Sequence, residues 1–206
     1  MIKAIIFDLW GTLGSKKIGL SSTLRKHFNI KKTSNFIRLY EESIQLHDWK
    51  TNEAMAESFL KFFKVPITKE NIAFFIKTVE DGLNISYLLD GMKELLEILS
   101  KEYRLVLLSN TNNMSTNILT QWGVRDLFTK EIFSCYIGSL KPSKKNFDIV
   151  CEELNVKYEE CIFTDDMKEN IIAANSLGIK GIHFKSVSQL KEDLKALGVK
   201  IDYYKK

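Results

Sequence analysis

The chain has 206 residues, of which 45% are hydrophobic and 27% are charged. This size suits one α/β domain, or a core with a modest insertion, and excludes two large independent domains. The formal net charge of +4 comes from lysines scattered among acidic residues along the whole chain, so no basic surface predicts nucleic-acid binding. No apolar run approaches membrane-spanning length, and the seven residues before Asp8 are too few for the apolar part of a signal peptide.

The number and spacing of the cysteines indicate the redox environment in which the protein works. Cys135, Cys151 and Cys161 form no CxxC pair and are odd in number, which argues against both a disulfide framework and a zinc site. A reducing cytoplasm fits this usage, so we expect a cytoplasmic protein without a membrane partner. The basic C-terminal residues Lys205 and Lys206 are expected to be a frayed tail.

Short apolar runs alternate with amphipathic segments over most of the chain. This alternation predicts an α/β fold with a doubly wound, Rossmann-like parallel sheet. In chain order the predicted strands are Ala4–Phe7, Leu105–Leu108, Cys161–Thr164 and Gly181–Phe184, with Glu131–Tyr136 as one more candidate. The predicted helices between the later strands are Ser115–Trp122, Lys144–Leu154 and Asn170–Leu177. Gly123 and Gly178 follow two of these helices and are expected to end them.

Residues 16–87 break this alternation, because their apolar positions follow helical spacing throughout. Thr33-Ser34, Thr51 and Thr68 each precede an apolar run and are expected to cap the helix that follows. We therefore predict an α/β core domain formed by residues 1–15 and 88–206, with an inserted all-helical cap domain at 16–87. This segment is called the helical insertion below.

Polar residues with chemical capability follow three of the predicted strands. Asp8 comes directly after the first strand, Ser109-Asn110 after the second, and Asp165-Asp166 after the third, while Lys141 precedes a predicted helix. In an open parallel sheet the carboxyl ends of the strands line one crevice. Carboxylates, a hydroxyl, an amide and a lysine at one place form a set that a divalent cation and a phosphoryl group together could neutralise.

These segments resemble, in order, the four motifs of the haloacid dehalogenase superfamily. Residues 7–13 (FDLWGTL) resemble the first motif, residues 108–111 (LSNT) the second, and Lys141-Pro142 the third. Residues 163–166 (FTDD), continuing through Asn170, Ala173 and Gly178, resemble the fourth motif. The resemblance covers roughly residues 1–14 and 88–185, and the helical insertion matches only in its position. It implies a hydrolase with an aspartate nucleophile, a Mg²⁺ cofactor and a small-molecule phosphate ester as substrate.

The resemblance also implies a role for each site residue. Asp8 is the expected nucleophile, and Lys141 is the cation that offsets charge between it and the ligand oxygens. Asp165 is expected to orient Lys141 or a metal-bound water. Ser109, Asn110 and Thr12 are the expected substrate-binding residues.

The expected Mg²⁺ ligands are the side chains of Asp8 and Asp166 and the backbone carbonyl of Trp10. Asn170 is expected to support the site. No histidine ligand is expected, and the sequence leaves the choice between a monomer and a homodimer open.

Trp10 is the main departure from the phosphatase pattern. Phosphatase members of the superfamily carry a second aspartate there, which protonates the leaving oxygen and activates water. Loss of a general acid and base costs ~10²–10⁴ in rate, so we expect slow turnover unless another group substitutes.

Two alternatives to a phosphatase stay open. A metal-free 2-haloacid dehalogenase would suit the aromatic residue at position 10, and Arg38 falls near its halide-binding arginine. However, Asp165-Asp166 and Phe147 stand where those enzymes carry serines and a tyrosine. Arg38 is better explained as an exposed helix residue near Glu41 and Glu42. The other alternative is a catalytically impaired member that binds a phosphorylated ligand or a protein.

Overall fold

The protein is described here from a computed structural model, which covers residues 1–17 and 19–201. The predicted frayed tail at Lys205 and Lys206 lies outside these residues. The strands are β1 (Ala4–Phe7), β2 (Gly14–Lys16), β3 (Ser86–Leu88), β4 (Arg104–Ser109), β5 (Lys130–Phe133), β6 (Cys161–Asp165) and β7 (Lys180–His183). The helices are α1 (Leu20–His27), α2 (Phe36–Ile44), α3 (Asn52–Phe62), α4 (Lys69–Asn84), α5 (Met92–Leu99), α6 (Ile118–Gln121), α7 (Ser134–Ile137), α8 (Lys144–Leu154), α9 (Lys168–Ser176) and α10 (Val187–Ala196).

A five-stranded parallel sheet in the order β5-β4-β1-β6-β7 forms the centre of the fold. The predicted doubly wound α/β class is therefore confirmed. The predicted fifth strand is only half right, because the chain turns into α7 at Ser134 after four strand residues. Gly123 and Gly178 adopt φ values of +67° and +92°, the left-handed conformation with which many helices end.

Alternate residues of the strands pack on opposite faces of the sheet, as the period of two requires. Ile5 and Phe7 belong to one buried apolar cluster with α5, α6 and α10, whereas Ala4 and Ile6 belong to a second cluster with α8 and α9. Both faces are covered by helices, which explains why β1 is apolar at every position.

The helical insertion contains α1–α4 and has an apolar cluster of its own. Residues from all four helices contribute to it, including Leu24, Tyr40, Phe59, Phe75 and Val79. Its apolar residues therefore pack mainly on one another. Among the described residues, no helix is long and apolar enough to cross a membrane.

Two of the three predicted helix caps of the insertion are present. The hydroxyl of Thr51 accepts a hydrogen bond from the Ala54 amide at 3.1 Å, and the hydroxyl of Thr68 accepts one from the Asn71 amide at 3.2 Å. The third prediction was wrong, because α2 begins after Asn35 and no side chain caps it.

The two segments that join the insertion to the core pair with each other. β2 and β3 form a two-stranded antiparallel ribbon in which Ser15 faces Tyr87 and Gly14 faces Leu88. Both connections therefore leave the core side by side, and the first of them begins six residues after Asp8.

Candidate active site

The carboxyl ends of the central strands bring the predicted site residues together. Asp8 follows β1, Ser109 ends β4 and Asp165 ends β6, and β1 pairs with both β4 and β6 in parallel register. A cavity of about 340 Å³ opens at this edge, between the sheet and the helical insertion. Its lining includes Asp8, Trp10, Asn110, Lys141, Asp165 and Asp166.

Lys141 bridges two carboxylates from neighbouring strands. Its ammonium Nζ lies 2.5 Å from Asp8 Oδ1 and 2.7 Å from Asp165 Oδ2, and its side chain is only 1% exposed. Buried charges are tolerated when they are paired and hydrogen-bonded, as they are here. Because the loop that carries Lys141 lies far from Asp8 and Asp165 in the chain, only the folded sheet can form this cluster.

Both carboxylate oxygens of Asp165 accept hydrogen bonds from protein donors. Its Oδ2 also accepts a hydrogen bond from Asn170 Nδ2 at 2.9 Å, and its Oδ1 accepts one from the Met167 amide at 2.7 Å. Its carboxylate is therefore occupied by protein donors and fixes the position of the Lys141 ammonium.

Burial is the largest influence on the charges of this cluster. It raises the pKa of Asp8 to about 7, with Asp165 and Asp166 adding to the effect and Lys141 opposing it. Burial also opposes the charge of Lys141, but Asp8 and Asp165 outweigh it and raise the pKa of this lysine. Lys141 is therefore a permanent cation beside Asp8.

Three carboxylates form a possible cation site. One oxygen each from Asp8, Asp165 and Asp166 lies within 4.8 Å of the others. Burial, and after it the neighbouring Asp165, raises the pKa of Asp166. When ionised, the three carboxylates are paired with one ammonium among the described residues, that of Lys141, which leaves an excess of two negative charges there. The donor set fits Mg²⁺, a hard ion that takes oxygen ligands and keeps several waters.

The loop after Asp8 approaches Asp166 closely. Gly11 has a φ of +90°, and a Cβ at this position would collide with the Asp166 carboxylate, so glycine is required there. In the described part of the chain, no hydrogen bond reaches the neighbouring Trp10 carbonyl oxygen, which leaves it available as the third predicted ligand. His183 lies on the other side of Asp166, with its Nε2 2.9 Å from the Asp166 backbone oxygen.

Asn110 links the Lys141 loop to the helical insertion. Its Oδ1 accepts a hydrogen bond from the Lys141 amide at 2.8 Å, while its Nδ2 donates to Glu41 Oε1 at 3.3 Å and to the Lys141 carbonyl at 3.4 Å. Asn110 therefore positions Lys141, and the amide group predicted to bind substrate is in contact with a carboxylate of α2.

The Trp10 side chain is held on two sides. Its ring packs edge-on against Trp122, with the ring centroids 5.7 Å apart, and the ammonium of Lys16 lies 3.6 Å from its centroid. Burial lowers the pKa of Lys16 to about 7. Position 10 thus presents an aromatic ring and a neighbouring cation to the cavity, where a phosphatase of this type has a carboxyl group.

Two predicted substrate-binding residues do not line the cavity. Ser109 is 1% exposed, with its hydroxyl 3.4 Å from the Asn110 carbonyl. Thr12 is fully buried, and no hydrogen-bond partner of its hydroxyl lies among residues 1–17 and 19–201. Arg38 donates to Glu42 at 2.8 Å and to the Lys141 carbonyl at 3.1 Å. These contacts occupy its guanidinium and hold α2 against the Lys141 loop.

Glu41 and Lys16 line the cavity, and sequence reasoning missed both. The only available signal for Glu41 was its position four residues after Ile37, which places the two on one side of α2, and both face the cavity. Lys16 carried no signal, because a lysine after a short strand is ordinary.

The comparisons with known proteins agree with this architecture. The family model of the haloacid dehalogenase-like hydrolases matches residues 2–178. The chain is 24% identical to a phosphoglycolate phosphatase of Colwellia psychrerythraea, over 95% of this chain and 90% of the relative. It is 29% identical to flavin mononucleotide hydrolase 1 of Arabidopsis thaliana, over 69% of this chain and 63% of the relative. The fold and the site define a hydrolase, and the chain belongs to the haloacid dehalogenase-like hydrolases.

Solved structures share the fold at low identity. A HAD family enzyme from Bacteroides thetaiotaomicron, in complex with magnesium and inorganic phosphate, superposes with a TM-score of 0.67 at 21% identity over 91% of this chain and 96% of its own. A 2-haloacid dehalogenase from Pseudomonas syringae superposes with a TM-score of 0.64 at 19% identity over 96% and 100% of the chains. Because both a magnesium-bound enzyme and a dehalogenase fit, the fold alone does not select the reaction.

Proposed function

We propose that this hydrolase is a Mg²⁺-dependent phosphatase that acts on a small phosphate ester, with Asp8 as its nucleophile. The observation that carries the proposal is the excess of carboxylate over cation around Asp8, Asp165 and Asp166, with the buried ammonium of Lys141 between two of them. Such a site suits a divalent cation together with a phosphoryl group. The names of two relatives, a phosphoglycolate phosphatase and a flavin mononucleotide hydrolase, give independent support.

In this proposal Asp8, Asp166 and the Trp10 carbonyl would hold the ion, which would supply positive charge to offset the nucleophile and the phosphoryl oxygens. Asp8 attacks phosphorus, the bond to the leaving oxygen breaks, and water then cleaves the aspartyl phosphate. Lys141 neutralises charge on the transferring group, and Asp165 and Asn110 hold Lys141 in place.

The test is a panel of phosphate esters assayed with Mg²⁺ and with a chelator, beside 2-chloropropionate as a dehalogenase substrate. We expect phosphate release that the chelator abolishes and no halide release. Halide release without metal, and no phosphate release, would contradict the proposal.

Metal binding is tested separately by titration calorimetry with Mg²⁺. We expect Asp166→Ala to lose binding, because it removes a carboxylate that no cation or side-chain donor contacts within the described residues. Asp126→Ala is the control, since Asp126 is exposed and remote from the cavity. Equal Mg²⁺ affinity of Asp166→Ala and the wild type would contradict the proposed metal site.

A 2-haloacid dehalogenase is the weaker candidate. The guanidinium of Arg38 is paired with Glu42 and the Lys141 carbonyl, and Arg38 does not line the cavity. Ionised Asp165 and Asp166 would also repel a carboxylate substrate.

We further propose that residues 16–87 act as a cap that opens about the ribbon of β2 and β3. Contacts between the insertion and the core include polar pairs such as Asn110 with Glu41, and Asn113 with Asp48 at 2.6 Å, and polar contacts can exchange with water during opening. Hydrogen exchange near Ser15 and Leu88 tests this. Amide protection there as strong as in the central strands, with and without ligand, would argue against a hinge.

We also propose a cytoplasmic location, which the three free cysteines support.

A further inference from the structure

Glu41 is a carboxylate of the helical insertion that the proposed reaction does not yet use. It lies on α2 and lines the same cavity as Asp8, together with other residues of the insertion such as Ile37 and Tyr40. Its Oε1 accepts a hydrogen bond from Asn110 Nδ2 at 3.3 Å. Asn110 in turn holds the loop of Lys141, so the carboxyl group is connected to the group of residues around the nucleophile.

The surroundings of Glu41 favour its protonated form. Burial raises its pKa, and Glu169 of α9 acts in the same direction. The Asn110 hydrogen bond, Lys141 and Arg38 of its own helix act in the opposite direction without cancelling the effect of burial. A carboxyl group whose pKa is raised keeps its proton to a higher pH, so it can give that proton to a leaving oxygen and take one back from water.

The other carboxyl groups of the cavity already have roles or partners. Asp8 is the proposed nucleophile, Asp166 the proposed metal ligand, and Asp165 is bonded to Lys141 and Asn170. Position 10, where a proton donor is expected, carries tryptophan. Among the described cavity residues, Glu41 is the carboxyl group that remains available to the leaving oxygen.

We propose that Glu41 is the general acid and base of the reaction, in place of the carboxyl group that position 10 lacks. In the first step Asp8 forms a bond to phosphorus, the bond from phosphorus to the leaving oxygen breaks, and the Glu41 carboxyl group gives its proton to that oxygen. In the second step the Glu41 carboxylate takes a proton from water, whose oxygen attacks phosphorus while the bond to Asp8 breaks. The proton is thereby returned, and alcohol and phosphate are the products.

This inference rests on the proposed phosphatase function, and a comparison of leaving groups tests it. Glu41→Gln keeps an oxygen for Asn110 but cannot transfer the proton. We expect kcat/KM to fall by about 10²- to 10⁴-fold for an alkyl phosphate, whose leaving oxygen needs protonation. The fall for p-nitrophenyl phosphate should be much smaller. Glu41→Asp should restore part of the alkyl activity. Glu57→Gln, at an exposed position of α3 that does not line the cavity, should change neither.

The pH profile gives a second readout. For the wild type, kcat/KM on the alkyl ester should decline as pH rises through the pKa of Glu41, because the acid form is lost. Glu41→Gln should lack this decline. Equal losses on both esters, or no loss, would overturn the proposal. So would a leaving-group-dependent loss in Lys16→Met with none in Glu41→Gln, since Lys16 lines the same cavity.

Failure of the proposed phosphatase function can be distinguished from failure of the Glu41 proposal. If the wild type releases no phosphate from any ester, the phosphatase proposal fails by that assay alone. The carboxyl group can still be examined by ¹³C NMR titration of the protein, with Glu41→Gln identifying the signal. A Glu41 signal that titrates with the exposed glutamates would refute an acid role whatever the activity, and a raised titration is the expected result.

Discussion

The core and the helical insertion contribute to one cavity in different ways. In the core, polar residues stand directly after buried strands, so the sheet itself fixes Asp8 and Asp165 relative to each other. In the insertion, Glu41 lies on an amphipathic helix whose other buried residues pack into a separate apolar cluster. Contacts between the two parts include the hydrogen bond from Asn110 to Glu41 and the one from Arg38 to the Lys141 carbonyl. The core thus supplies the charged residues at the strand ends, and the insertion supplies side chains such as Glu41 to the same cavity.

The largest expected effect tests the core. Asp8→Asn should reduce steady-state phosphatase turnover by about 10⁴- to 10⁶-fold, because an amide cannot act as the nucleophile. Phosphate release from p-nitrophenyl phosphate measures this. Asp126→Asn is the control with an unchanged rate. Substantial turnover by Asp8→Asn would mean that the core does not supply the nucleophile.

A substitution in the apolar cluster of the insertion tests whether the insertion unfolds independently of the core. Phe59 is fully buried there, so Phe59→Ala should lower the free energy of unfolding by about 3–5 kcal/mol. Phe62, on the same helix and 44% exposed, is the control, and Phe62→Ala should stay within about 0.5 kcal/mol. Hydrogen exchange should show the loss of protection in α1–α4 and not in β1 or β6. Equal loss in both parts would mean that they unfold as one unit.

A smaller effect on turnover tests whether the core or the helical insertion carries the group that transfers protons. Trp10→Asp restores a carboxyl group on the core. We expect steady-state turnover to rise by up to about 10²-fold, because it would add a second base to Glu41 in the hydrolysis of the aspartyl phosphate, which we expect to be the slow step of the wild type. Rapid-mixing kinetics should show an initial burst in the wild type that is absent in Trp10→Asp. Trp10→Ala controls for improved access, since the ring packs on Trp122.

A double-mutant cycle then connects the two positions. If position 10 and Glu41 perform the same task, Glu41→Gln should cost less activity in the Trp10→Asp background than in the wild type. Fully additive effects would separate the two roles. A gain by Trp10→Ala equal to that of Trp10→Asp would attribute the deficit to access.

The smallest expected effect is on stability. Because the pKa of Glu41 is raised in the folded protein, the folded state binds more protons than the unfolded state above pH 4.5, the ordinary value for glutamate. The stability that this group contributes is therefore present at low pH and is lost as pH rises through its folded pKa. Relative to Glu41→Gln, the wild type should lose stability over that range in urea titrations. A constant difference between the two proteins would contradict the raised pKa.

The sequence by itself determined the sheet and much of the site. Buried parallel strands are continuous apolar runs, and polar residues at their ends meet at one edge, so Asp8, Asp165 and Asp166 were expected together. Lys141 lies in a loop before a helix, and its place in the cluster was indicated by the order of the four motifs rather than by a strand end. Helical spacing likewise indicated an all-helical segment at 16–87. The pairing of β2 with β3 was missed, because three-residue strands carry too little pattern.

The tertiary structure alone decided which side chains face the cavity. Glu41 and Asn110 are 69 residues apart in the chain, and no local period reveals that they touch. The burial of Ser109 and Thr12, in contrast to the exposure of Lys16 to the cavity, depends on how loops pack against the sheet. Local patterns report which face of an element is apolar, whereas the identity of the partner across that face is a long-range property of the packed chain.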